Sequence, residues 1–183
     1  MPSEPEIPLL FITGTVGVGK SAVLDEIHDV LCSADSAHAC IDVDALSHSW
    51  PMRGEFNRVS MFENLRCLWA NYRAAGALRL ALAGVIERST ELAAYREVIP
   101  GARITVCRLF ASEPTRVARL HTREIGSGLP WHVQRTVELE AVLVATAVHD
   151  FEVRNEARSV RDVALEVLGR AGWLAELATL PRD

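Results

Sequence analysis

The residues Gly14-Thr15-Val16-Gly17-Val18-Gly19-Lys20-Ser21 set glycine, four spacers, glycine, lysine and a hydroxyl in a fixed order. That order suits one kind of chemistry, the holding of phosphate. Glycine lets the backbone curl until successive N–H groups face an anion, and a helix starting at the end of the loop adds its positive pole. Lys20 brings a compact ammonium on a long stem that reaches β- and γ-phosphates, where a planar guanidinium fits poorly. The Ser21 hydroxyl is a ligand for Mg²⁺. Of the nineteen lysine and arginine residues in the chain, Lys20 is the sole lysine. A sequence biased this far toward arginine keeps its one lysine where arginine cannot replace it.

A second group with chemical potential is Asp42 and Asp44 in "CIDVDALSHSWP". Residues two apart in a strand point the same way, so both carboxylates are expected beside the phosphate loop. Asp42 is assigned to Mg²⁺ and Asp44 to accepting the proton of an attacking hydroxyl. Either could instead cap the helix that follows. Arg116, Arg119 and Arg123 recur at helical spacing. Arg119 and Arg123 are expected to steady the charge of a transferring phosphoryl group, with "GSGLP" as a hinge in a lid over residues 113–135. The alternative is a solvated arginine face. Asn155 and Arg158, after the last strand, are placed beside the nucleotide base or, alternatively, in a plain turn. Trp50, Arg53, Arg58, Asn64, Arg66, Tyr72 and Arg96 are candidates for the acceptor's wall. The six histidines show no His-x-x-x-His spacing and no metal set is expected among them; His48 alone falls near the acceptor region.

These residues need a scaffold. Apolar runs at Pro8–Thr13, His38–Val43, Leu78–Ile86, Arg103–Phe110 and Asp150–Asn155 read as strands. Helical periods follow Lys20, run from Phe56 to Ala75, and return near 114–125, 130–148, 160–171 and 173–177. Alternating strands and helices imply an α/β fold with a mostly parallel five-stranded sheet between helical layers. A single domain over residues 1–183 is expected, with a short tail at 1–7 that carries no basic leader. The four cysteines lack a C-x-x-C pair, no histidine stands at zinc-ligand spacing from them, and they read as buried thiols of a reducing, cytoplasmic compartment. No apolar run spans a bilayer. A net charge of −5 argues against nucleic acid as an obligatory partner. A homodimer is compatible with all of this.

The loop together with the strand-two acids resembles the small-molecule P-loop kinases. "VDALSHSWP" is similar to the Val-Asp-Ser-Leu segment of chloramphenicol phosphotransferases, in which the matching aspartate, here Asp44, is the base. "FENLRCLWANYRAAGA" resembles the Glu-Asn-Ile-Arg-Arg segment of adenylylsulfate kinases, with Glu63, Asn64 and Arg66 on the pattern. In this chain Met61 takes the place of a substrate-binding arginine, and Val43 that of the glycine between the acids. "YREVI" resembles a segment of gluconate kinases. The resemblance implies a three-layer P-loop kinase fold, ATP and Mg²⁺ as cofactors, and transfer of the γ-phosphoryl group to a hydroxyl of a small-molecule acceptor. A guanine-specific N-K-x-D motif is absent, as no second lysine exists. Competing readings are a nucleotide switch or weak NTPase working through a protein partner, and a polynucleotide 5′-end kinase.

Overall fold

The structure, a computed structural model, describes residues 6–123 and 126–177. Five strands, β1 (Ile7–Thr13), β2 (His38–Asp42), β3 (Arg79–Ala83), β4 (Ala102–Phe110) and β5 (Phe151–Arg154), form one sheet in the order β2-β3-β1-β4-β5. Every pairing is parallel. The crossovers are supplied by α1 (Lys20–Ser33), α2 (Arg58–Ala74), α3 (Glu91–Val98), α4 (Glu113–Arg123) and α5 (Leu129–Thr146), and α6 (Val160–Arg170) and α7 (Trp173–Leu177) follow.

Strand pleating explains the three layers. In central β1, Leu10 and Ile12 point to one face and pack with Val23, Ile27 and Leu31 of α1 and Val163 and Val167 of α6. Leu9 and Phe11 point the other way, onto Met61, Leu65 and Trp69 of α2 and Tyr95 and Val98 of α3. Each such side chain contributes about 1.5–3 kcal/mol by leaving water, so the sheet is held from both sides. Because the crossovers after β1 and β3 leave toward opposite faces, a crevice opens at the carboxyl ends of these strands.

A buried ionic network fixes α4 and α5 above that end. Arg108 of β4, only 6% exposed, donates to Glu140 of α5 at 2.6 Å and to Glu152 of β5. Arg116 of α4 pairs with the same Glu140 at 3.4 Å. Carboxylates from two elements thus satisfy guanidiniums that burial would otherwise penalise.

Several expectations need correction. The helix expected from Phe56 begins at Arg58, because Phe56 and Asn57 adopt φ of 50° and 55°. Asn57 is held there by its side chain, which accepts from Arg53 N at 2.8 Å and donates to Ser47 O at 2.7 Å. Helix α3 was not expected; with only Tyr95 and Val98 buried, it is too short to print a clear period. The supposed tail overlaps β1, since Ile7 is paired with Ala102 and Glu6 reaches Arg103 at 3.2 Å; residues 1–5 lie outside the described ones. Only Cys107 is a buried thiol. Cys40 is half-buried, while Cys32 and Cys67 are exposed on the outer faces of α1 and α2. Among the described residues, no helix is long and apolar enough to cross a membrane.

Candidate active site

The P-loop links β1 to α1, and most of its carbonyls are spoken for. Lys20 Nζ arches back to donate to Gly14 O and Thr15 O, each at 3.2 Å. Thr136 Oγ1, from α5, donates to Val16 O at 2.7 Å. Val18 O accepts from Asn155 Nδ2 at 2.8 Å and from Arg119 at 3.1 Å. Held at their carbonyl ends, the peptide planes of Gly14, Thr15, Val16 and Val18 have little freedom to rotate. Gly19 ends the loop at φ 97°, and a Cβ there would stand 2.6 Å from Asn155 Nδ2, so only glycine admits this brace.

The strand-two acids meet the loop. Ser21 Oγ donates to Asp42 Oδ2 at 2.6 Å, and Asp42 Oδ1 accepts from Asp44 N at 3.0 Å. The expected strand geometry does not extend to Asp44: β2 stops at Asp42, and Asp44 opens a 3-10 turn over Asp44–Ser47. Asp42 caps that turn, and both carboxylates still line the cleft. Val43, between them, is buried against Gly84, where a Cβ would lie 2.4 Å from Val43 Cγ2. The paired hydroxyl and carboxylate of Ser21 and Asp42 form an all-oxygen donor set of the type Mg²⁺ takes, so these residues fit that ion.

Desolvation works against the charge of Lys20 and of Asp44, while each favours the charged form of the other. Asp44 is exposed toward the open cleft, yet the protein around it removes enough hydration to push its pKa up; Lys20 draws it down and Asp42 adds to the rise. Lys20 is shifted below its ordinary value, first by burial, against which the charges of Asp44 and Asp42 act.

The cleft has a volume of about 840 Å³, within the range of small-molecule sites. Lys20, Ser21, Asp42, Asp44, Arg119 and Arg123 all line it. Arg119 is also tied to Asn155 O at 3.0 Å. Arg116, by contrast, is buried beneath α4 and donates to Ala111 O. Asn155 and Arg158, expected beside the nucleotide base, are not among the residues lining this cleft. The Asn155 side chain stands behind the loop, and Arg158 pairs with Glu166 and donates to Asp162 O at 3.2 Å. Of the residues proposed for the acceptor's wall, Arg58 lines the cleft, as does His48. Trp50, 83% exposed, Arg53, Asn64, Arg66, Tyr72 and Arg96 do not. Arg53 pairs with Glu63 outside, and Asn64 donates to Leu46 O at 2.9 Å.

The cleft is also lined by residues missed in the sequence: Phe56, Glu87, Tyr95, Trp131, His132 and Arg135. Trp131, Arg135 and Leu139 stand four apart on α5, a stripe that would have marked the cleft-facing side. Arg135 pairs with Glu87 and lies 5.8 Å from the Phe56 ring centroid, while Arg58 pairs with Glu91 at 2.6 Å. Met61, at the position of the resemblance's arginine, is buried and lines the cleft, making that spot apolar.

No family model and no curated protein sequence matches the chain. Solved structures do. A gluconokinase from Sinorhizobium meliloti 1021 is similar over 94% of each chain, with a TM-score of 0.62 at 20% identity. A shikimate kinase from Acinetobacter baumannii, in complex with shikimate, covers 96% of each chain with a TM-score of 0.56 at 17% identity. An APS kinase from Mycobacterium tuberculosis, in complex with AMPPNP and APS, has a TM-score of 0.54 at 19% identity, over 90% of this chain and 97% of its own. What is shared at such identities is architecture, and the chain has the fold of the small-molecule P-loop kinases.

Proposed function

We propose that the chain is an ATP- and Mg²⁺-dependent kinase that transfers the γ-phosphoryl group to a hydroxyl of a small molecule. One observation carries this reading: Lys20, the Ser21–Asp42 pair and Asp44 open into a single cleft that continues past them to a second wall from α2 and α5. The P-loop and Lys20 grip the triphosphate. Ser21 and Asp42 would hold Mg²⁺, which supplies positive charge to the phosphate oxygens. Asp44 takes the proton of the acceptor hydroxyl, whose oxygen forms the new bond to phosphorus as the bond to the β-phosphate oxygen breaks and ADP leaves. Arg119 and Arg123 answer the charge that spreads over the phosphoryl oxygens. The far wall joins Phe56, Met61 and Trp131 to the ion-paired Arg58 and Arg135, which suits an acceptor with an apolar face and a group that arginine binds. A compact cleft and a net charge of −5 favour a small molecule over a polynucleotide.

The test is incubation with γ-labelled ATP, Mg²⁺ and pooled metabolites, followed by identification of the labelled product. Asp44→Asn should abolish labelling while calorimetry still registers the magnesium–nucleotide complex. In the wild type, a protonated Asp44 cannot act as base. Turnover should therefore fall as pH drops through its raised pKa, with the acid limb shifted upward from the ordinary aspartate value. Equal turnover in Asp44→Asn removes the base. Phosphate release that no acceptor stimulates favours the NTPase reading.

A further inference from the structure

Away from the cleft, at the far end of α1, three metal-ligating side chains converge. His28 and Cys32 are four residues apart on one helical face, and His38 is the first residue of edge strand β2. One ligand atom from each lies within 4.8 Å of the others, and no other trio of His, Cys, Asp or Glu among the described residues comes this close. His28 Nδ1 is 2.9 Å from His38 Nε2, and Cys32 Sγ is 3.8 Å from the same Nδ1. Atoms sharing one tetrahedral ion through bonds of 2.0–2.3 Å stand roughly 3.3–3.6 Å apart, so small rotations of exposed side chains suffice.

The surroundings already select the right form of one ligand. His38 Nδ1 donates to the carbonyl of Ser36 at 2.6 Å, which places the proton on that nitrogen and leaves the lone pair of Nε2 facing His28 and Cys32. A backbone carbonyl orienting a ring in this way is the usual outer partner of a metal-bound histidine. No metal set was expected among the histidines, nor a histidine at zinc-ligand spacing from a cysteine, yet the structure brings these three side chains together. Here α1 pairs His28 with a cysteine, and the third ligand arrives from the next strand.

We propose that His28, Cys32 and His38 bind a divalent transition ion of borderline softness, Zn²⁺ foremost, with water completing the tetrahedron. Two imidazoles and a thiolate discriminate against Mg²⁺, which prefers the oxygen pair of Ser21 and Asp42. On binding, the Cys32 thiol releases its proton to solvent. His28 lies about 12 Å and Cys32 about 18 Å along α1 from Lys20, so the ion is structural, clipping an edge strand to its crossover helix.

Cobalt separates this site from the cleft. Titrating the full chain with Co²⁺ should give a near-ultraviolet thiolate-to-cobalt band with tetrahedral visible absorption, and Zn²⁺ should displace both. Cys32→Ser should abolish the thiolate band, and His38→Gln should weaken Co²⁺ binding by more than the ~10–100-fold that loss of an outer partner costs. Cys67→Ser, which removes the other exposed thiol, and Asp42→Asn should keep the band. Zn²⁺ should raise the melting temperature of the wild type but not of Cys32→Ser, whose exposed position leaves the fold intact. A Co²⁺ spectrum without a Cys32-dependent band, or equal Zn²⁺ stabilisation of wild type and Cys32→Ser, would overturn the site. Neither result depends on the kinase reading.

Discussion

One side of the cleft is a run of eight residues pinned by Lys20, Thr136, Asn155 and Arg119. The other is gathered from Phe56, Arg58, Met61, Tyr95, Trp131 and Arg135, which belong to four separate elements. A triphosphate has the same shape whatever receives its phosphoryl group, so its wall can be local, rigid and dense in backbone contacts. A wall assembled from helix faces can change side chain by side chain without disturbing the sheet. The division predicts that substitutions on one side should leave binding on the other side intact.

The largest effect is expected at Lys20. Lys20→Met should lower phosphoryl transfer by at least about 100-fold, and Lys20→Arg should not restore it, measured as labelled product. Full rescue by arginine would mean that charge alone, without a compact head, is enough.

Behind the loop, Asn155→Leu removes a buried donor while Arg119 still serves Val18 O. It should cost about 1–3 kcal/mol in denaturant unfolding and weaken nucleotide more than acceptor binding. On the opposite wall, Arg135→Gln should raise the acceptor KM by roughly 10-fold, the worth of about 1.4 kcal/mol, and leave the nucleotide Kd unchanged. Should both constants move together, the two walls are one unit.

The smallest effect concerns acid stability. Glu156 accepts from Ser112, Thr115 and Arg154, which together hold its pKa down at about 2, and so ties the start of α4 to the loop after β5. A depressed carboxylate stabilises the fold above its ordinary value of 4.5, and that contribution disappears as pH falls toward about 2. Glu156→Gln should therefore be less stable than wild type near neutral pH, and in parallel urea titrations the gap should narrow below pH 4.5 and close only toward about pH 2. A gap that is constant with pH would assign the contact to packing.

The same division governs what could be read before any coordinates. The P-loop announces itself because glycine, lysine and serine are each required at one step of a continuous turn. The five strands were visible because each is apolar enough to sit between two helical layers. Asp42 and Asp44 were found by their spacing, although the turn at Asp44 was not, since Asp42 capping its neighbour leaves no mark on hydrophobic period. The left-handed bend at Phe56 and Asn57 was hidden for a similar reason: asparagine's hydrogen bonds to Arg53 and Ser47 decide it. Arg116 and Arg119 looked alike on a helical wheel. Glu140 and the Val18 carbonyl, both remote in sequence, give them different tasks. The far wall of the cleft joins residues as distant as Phe56 and Arg135, and no local pattern reports such a meeting.

Thr136 and Arg135 are neighbours on α5, yet the first, fully buried, holds Val16 O and the second faces the far wall. Neighbouring side chains on a helix leave it about 100° apart, so the buried hydroxyl and the cleft-facing guanidinium meet different surroundings. One helix thus serves both halves of the cleft from adjacent positions, and the guanidinium can be exchanged while the hydroxyl keeps its hold on the loop.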